Sequence, residues 1–432
     1  METILLTVSS LEVLFCLNSR KFKKSLLTIF CSLWCLIFWL YSFRFYGLYD
    51  CESKTYIVYI VGIFSFFVGY CFIETFVMCK SDKKKQNVDK RFTIKLFFIY
   101  ILSWISILVF IRKAILAIPY WLAGGPGAVK VAVIMDDALN DGNISDIIFT
   151  FVARPFQIII VIYAIIAFFV GEKNNAILWN AFFLTLFEYL CTGSKFAIST
   201  IGIIVFSYLF LYSELNIKQI INRYKTLVII VSATFLFIII LMSLQEDGVG
   251  VSFYSYLCGC MPCSDQALDE LSNTMPYYGL VSFNGILRVL NIVPHYIGIS
   301  PSEIKLALDF ASNYMLKFES TTIIGDGIKY NAFISLFSYF FADGRYWGVC
   351  IISVVFGGLC SWGFKKSKIA PSYYSYSLVL IFALFIATSM VRFQFSMTYY
   401  AMAVVYIVLL FPKKTFTVQK NKNVNPKEKH II

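Results

Sequence analysis

Apolar runs of roughly twenty residues recur along almost the whole of this chain, separated by short polar and often basic breaks. A helix needs about 20 apolar residues to cross a hydrocarbon layer about 30 Å thick, and in that layer its backbone N–H and C=O groups must be satisfied within the segment. The composition, 59% hydrophobic, 18% aromatic and 14% charged, excludes a soluble globule. Strict alternation of the transmembrane-barrel kind does not occur. The expected fold class is all-α, a polytopic transmembrane helix bundle.

Spans are predicted near residues 3–18, 25–43, 56–78, 96–117, 147–170, 176–191, 196–213, 225–244, 345–364, 374–394 and 396–411, about eleven in total. The opening run lacks a basic region before it and a small-residue cleavage site after it, so it reads as a retained helix that carries Glu12. Basic loops at Arg20–Lys24, Lys80–Lys95 and Lys365–Lys368, and the tail from Lys413 to Lys429, fall on one side of such a bundle. The positive-inside rule then places the C-terminus in the cytoplasm and the N-terminus outside. The net charge of +12 is mostly this topology signal. It is spread over short loops with no aromatic-interleaved groove, so no nucleic-acid partner is expected.

The longest comparatively polar stretch, residues 245–330, contains no run able to cross a bilayer and lies outside by the same rule. The chain thus divides into an N-terminal part of the bundle (1–244), an external loop (245–330), a C-terminal part of the bundle (331–411) and a basic cytoplasmic tail (412–432). Ser300, Pro301 and Glu303 make a helix start of cap, first-turn proline and capping-box acid, and 264–271 reads as a shorter helix. A second external segment, 119–145, holds Gly124, Gly125, Pro126 and Gly127, a turn signal without the strand and helix that a phosphate-cradling loop requires.

Most of the twelve cysteines lie inside apolar runs, where cysteine acts as a small hydrophobe. Cys258, Cys260 and Cys263 stand together on the outer side, and a local disulfide is expected there. A zinc site needs about four ligands and the nearby sequence does not supply them, so neither metal nor cofactor is expected.

Five cations stand in the external loop or at the outer mouths of spans: Arg154, Lys195, Arg288, Arg345 and Arg392. A guanidinium facing lipid costs roughly 2.5–3.5 kcal/mol even on the lenient insertion scale. Each alone can snorkel to water. As a set drawn from distant parts of the chain, they are better explained by convergence on an anionic, phosphorylated lipid headgroup, each contact contributing on the order of 1.5–3 kcal/mol.

Tyr46-Gly47-Leu48-Tyr49, Thr192-Gly193-Ser194-Lys195 and the stretch NAFISLFSYFFADGRYWG from Asn331 to Gly348, set in this layout, resemble the Wzy-type polymerases of O-antigen and capsular repeat units. Members of that family often carry Arg where this chain has Lys195. The resemblance implies a glycosyltransferase of GT-C-like architecture in the bacterial inner membrane, with its large loop periplasmic. It would transfer a glycan from undecaprenyl diphosphate to a sugar hydroxyl of a second lipid-linked repeat unit, releasing polyprenyl diphosphate. The five cations would hold the diphosphate, no cofactor is needed, and a chain-length regulator protein is an expected partner. An O-antigen ligase shares the layout and the donor, and a lipid-linked oligosaccharide flippase would bind the same diphosphate.

Such chemistry wants a base near the acceptor hydroxyl. Asp343, two residues before Arg345, is the first catalytic candidate, although an Asp-Gly pair also makes turns and caps. His295, the histidine of the external loop, is the second. Glu188, on the outer half of the sixth span, is an acid that should pair with Lys195 or another cation.

Overall fold

Four segments are long and apolar enough to cross a membrane among the described residues: Ser53–Phe76, Phe97–Val129, Ser145–Val170 and Leu336–Ile369. Four shorter apolar helices accompany them, Leu26–Ser42, Phe196–Tyr212, Tyr373–Ala387 and Thr398–Leu410. This is the make-up of a helical membrane protein. The structure, a computed structural model, describes residues 1–77, 90–134, 144–171, 175–194, 196–213, 248–296, 301–318, 321–331 and 334–413. The expected span at 225–244 and the tail beyond 413 lie outside the described residues.

The N-terminal part comprises α1 (Glu2–Asn18), α2 (Leu26–Ser42), α3 (Ser53–Phe76), α4 (Lys90–Ile134), α5 (Arg154–Val170), α6 (Asn175–Thr192) and α7 (Phe196–Tyr212). The expected external loop is largely helical: α8 (Gly248–Cys258), α9 (Cys260–Ser272), α10 (Asn284–Tyr296) and α11 (Ser302–Lys317), followed by an antiparallel hairpin, β1 (Thr321–Ile323) and β2 (Lys329–Asn331). The chain closes with α12 (Leu336–Ile369), α13 (Tyr373–Ala387) and α14 (Thr398–Leu410).

α3 and α12 share the most extensive helix contact in the molecule. Glycines allow it: a Cβ on Gly69 would stand 2.1 Å from the Val354 carbonyl oxygen, and one on Gly357 2.2 Å from that of Phe66. Close backbone approach through small residues is how helices associate where lipid removes the hydrophobic incentive. The cap is pinned to this pair. Asp265 of α9 accepts the Glu52 backbone N–H at 2.9 Å and the Thr55 hydroxyl, and Lys54 meets Asp269 at 2.7 Å.

Several sequence expectations are corrected. α4 continues past residue 117 to Ile134, and the Gly-Pro cluster breaks this helix at Gly124 and Gly125 rather than making a turn in an external loop. α12 begins at Leu336, ahead of the expected start at 345, and breaks at Gly344 and Arg345. The two breaks have nearly the same backbone: Gly125 at φ 65°, ψ −151° and Arg345 at φ 55°, ψ −142°. α11 starts on Pro301 with no side-chain cap, so its entry rests on the fixed proline φ instead of a capping box, and Ser300 lies outside the described residues. Cys258, Cys260 and Cys263 are buried free thiols at the α8–α9 junction, not a disulfide.

The last helix places the site. α14 packs on both α5 and α10, so its first turn lies where the N-terminal bundle meets the cap.

Candidate functional site around the start of the last helix

Residues 391–400, VRFQFSMTYY, lead from α13 into α14. Phe393 and Phe395 are buried and anchor the segment, Phe393 lying edge-on to Phe340 and Phe356 at 4.7 and 5.3 Å between ring centres. Gln394 donates to the Thr388 hydroxyl at 2.8 Å and closes the turn. α10 leans on the same backbone, since a Cβ at Gly285 would stand 2.5 Å from the Met397 carbonyl. The neighbouring polar groups are thereby held in place.

Arg154 approaches from one side. The chain enters α5 through a π turn, Phe149–Ala153, in which the Arg154 N–H bonds to the Phe149 carbonyl five residues back. Pro155 has no N–H for the Phe151 carbonyl, and the Tyr406 hydroxyl of α14 donates to it instead, at 3.0 Å. Single π turns of this kind re-aim the residues that follow and recur at functional sites. Here the Arg154 guanidinium lies over the Tyr399 ring, 3.9 Å from its centre, with Nε 3.9 Å from Glu188 Oε1. Arg154, Gln157, Glu188, Thr192, Thr200 and Tyr399 line a polar pocket, with Ser194 also in its wall. Two residues of the Thr192-Gly193-Ser194-Lys195 stretch therefore face it. Lys195 itself lies outside the described residues.

Arg392 belongs to the segment itself, and Arg288 of α10 is tied to its surroundings through Asn284. Arg392 lines a second pocket with Asn284, Ser312, Ser396 and Met397, and its Nη1 lies 3.3 Å from the weakly accepting Met397 thioether. Arg288 donates through Nε to Asn284 Oδ1 at 2.7 Å and through Nη2 to Asp309 at 2.6 Å. Asn284 in turn donates to the Leu280 and Leu308 carbonyls at 3.0 and 2.8 Å, so one buried amide orients Arg288 and joins α10 to α11. Arg154 and Arg392 are both within electrostatic reach of the Tyr400 hydroxyl, which lies at the first pocket.

The remaining sequence candidates are placed differently. Arg345 lines neither pocket; it donates to the Thr274 carbonyl and, at 3.4 Å, to that of Phe341. Asp343 is buried and accepts the backbone N–H groups of Gly279, Val281 and Ser282 at 2.9, 3.0 and 2.7 Å. This geometry makes it the template for the turn between α9 and α10. His295 falls in the last turn of α10, and its side chain lies outside the described residues.

Sequence reasoning missed Lys113 and Asp146. Lys113 of α4 is buried and bonded to Asp146, and its Nζ lies 5.8 Å from the Phe149 ring, to which the Arg154 guanidinium is 5.9 Å on its own approach. The available signal was a pair of cations, Arg112 and Lys113, inside the fourth apolar run. Among the described residues no group of three or more His, Cys, Asp or Glu side chains is arranged to hold a metal ion.

The arrangement offers chemistry in two parts. A guanidinium in the wall of each of two pockets suits a phosphorylated group, and the carboxylate, amide, hydroxyl and phenol groups of the first pocket suit hydrogen bonding to hydroxyl groups. No family model matches the chain, and no curated protein or solved structure matches it.

Proposed function

We propose that the protein is an integral-membrane glycosyltransferase that polymerises undecaprenyl-diphosphate-linked oligosaccharide repeat units into O-antigen or capsular polysaccharide at the periplasmic face of a bacterial inner membrane. The observation that carries this reading is that Arg154 and Arg392 both lie within electrostatic reach of Tyr400 at the junction of bundle and cap, with Arg288 bonded to Asn284, a residue of the Arg392 pocket.

Transfer of a sugar from a lipid diphosphate needs little besides stabilisation of the leaving diphosphate and removal of a proton from the acceptor hydroxyl. Cations provide the first. Each charge-assisted contact contributes on the order of 1.5–3 kcal/mol, and Arg can engage phosphate through two nitrogens. Arg154 and Arg392, each in the wall of one pocket, are assigned as the principal diphosphate ligands, with Arg288, held by Asp309, in support. Asp343, with its carboxylate given to three backbone amides, has a positioning role in this scheme. The donor enters from the outer leaflet, the C-terminus is cytoplasmic, and a chain-length regulator is a fitting partner for the cap.

Deleting the gene and resolving the surface glycan on a gel tests the reading. A single repeat unit on the lipid anchor is the expected result. Loss of all repeats from the anchor, with long chains left on the carrier, would indicate a ligase, and accumulation inside the cell a flippase. Arg154→Ala and Arg392→Ala, made separately and present at normal levels in the membrane, should each reproduce the deletion pattern.

A further inference from the structure

Glu188 stands in the wall of the first pocket. It sits on α6 at 8% exposure, with Oε1 3.9 Å from Arg154 Nε, too long for a hydrogen bond. Among the described residues its other oxygen, Oε2, is buried with no hydrogen-bond partner, and Arg154 Nε is likewise without one. A buried carboxylate oxygen left unsatisfied is costly, and in a folded protein it calls for a reason. The reason is close at hand, because the pocket that Glu188 lines is walled by groups that hydrogen-bond sugar hydroxyls: Gln157, Thr192, Thr200 and Tyr400. Gln157 donates to the Thr185 hydroxyl at 3.3 Å, and the Thr192 hydroxyl donates to the Glu188 carbonyl at 2.8 Å, so the wall around the carboxylate is itself fixed.

We propose that this pocket, about 20 Å³ in volume and so sized for a single hydroxyl group, receives the reacting hydroxyl of the acceptor sugar, and that Glu188 is the catalytic base. The proposal rests on the polymerase reading and adds to it the residue and the subsite. The acceptor hydroxyl donates to Glu188 Oε2 and is turned toward the donor. Its oxygen bonds to the anomeric carbon of the donor glycan as the bond from that carbon to the diphosphate breaks. The hydroxyl proton passes to Glu188, and the electron pair of the broken bond leaves on undecaprenyl diphosphate, whose charge is met by Arg154 and Arg392. Arg154 thus serves both partners, as counter-charge to Glu188 and as ligand of the leaving group.

The test uses the full chain in vesicles of phosphatidylethanolamine and phosphatidylglycerol, supplied with a synthetic undecaprenyl-diphosphate-linked oligosaccharide. Polymer formation is followed together with binding of undecaprenyl diphosphate alone. Glu188→Gln is expected to lose about 100- to 10,000-fold in turnover, the usual worth of a general base, while binding undecaprenyl diphosphate as the wild type does. Glu188→Asp keeps the charge opposite Arg154 and draws the carboxylate back. It serves as the control should the Gln variant fail to fold, and is expected to bind normally and turn over at a reduced rate. Wild-type turnover in either variant would overturn the base assignment and leave the polymerase reading standing. A wild-type protein that neither binds undecaprenyl diphosphate nor consumes the donor would overturn both.

Discussion

The Arg154 guanidinium carbon lies 3.9 Å from the centre of the Tyr399 ring, so the charge that opens α5 rests on the aromatic face that opens α14. Partly desolvated contacts of this type are worth about 1–2 kcal/mol. Their larger effect here is orientation, since the ring holds the guanidinium at the wall of the first pocket. Tyr399→Phe keeps the aromatic face and should extend chains at close to the wild-type rate. Tyr399→Leu should lose about tenfold, the equivalent of about 1.4 kcal/mol. Rates from the reconstituted protein decide it, and a Leu variant as fast as Phe would remove the aromatic face from the account.

Asn284 uses its amide three ways, holding Arg288 and joining α10 to α11. Asn284→Ala leaves a buried carbonyl of Leu308 without its partner and should lower stability by about 1–3 kcal/mol, with Arg288 released. Arg288→Lys keeps a charge opposite Asp309 and should cost less. Thermal unfolding of the two variants in the same detergent gives the order.

Arg345 adopts φ 55°, ψ −142°, the conformation that a glycine takes at the matching break in α4. A side chain in that region costs on the order of 1–3 kcal/mol, and the bond from its guanidinium to the Thr274 carbonyl supplies the offset. Arg345→Ala and Arg345→Gly both lose that bond, but only Gly is relieved of the backbone strain. The Gly variant should therefore melt at the higher temperature; equal melting temperatures would show that the break is unstrained.

In the cap, Lys317 bonds to Glu270 at 2.5 Å and, with the Tyr314 hydroxyl at 3.0 Å, holds the Glu270 carboxyl below its ordinary value of 4.5. Burial and the same carboxylate push the Tyr314 phenol up to about 12. A carboxyl whose pKa is lowered by folding contributes stability above its unfolded value and loses that contribution as pH falls through its folded value. Amide protection in α11, taken relative to the intrinsic exchange rate at each pH, should accordingly fall as the pH drops below about 4.5, and Glu270→Gln should be less protected at neutral pH while losing part of that acid dependence. An acid response unchanged by the substitution would place its cause elsewhere.

The helical class, the membrane setting and most helix positions were legible because burial in lipid imposes a length and a composition that local sequence cannot hide. The predicted run at 25–43 became α2, and 374–394 covers all of α13 but its first residue. Breaks were harder to read. Gly124 and Gly125 announced a change of direction but not that helix would resume after it, and nothing in the chemistry of Arg345 marks a residue that takes a glycine's backbone. The cap was expected to be partly helical, yet its hairpin passed unnoticed because strands three residues long carry almost no periodicity.

The site divides along the same line. Arg154 and Arg392 were singled out because charge is rare and costly at membrane depth, and Arg288 as a cation of the external loop, readings that need no coordinates. Which of them meet, and what each already holds, depends on contacts between α5, α10 and α14, elements far apart in the chain. Asp343 and Glu188 have the same kind of carboxyl group in the sequence. Packing gave the first three backbone amides and left the second with one oxygen unpartnered beside a guanidinium, and a carboxylate's chemistry follows from the donors that folding brings to it.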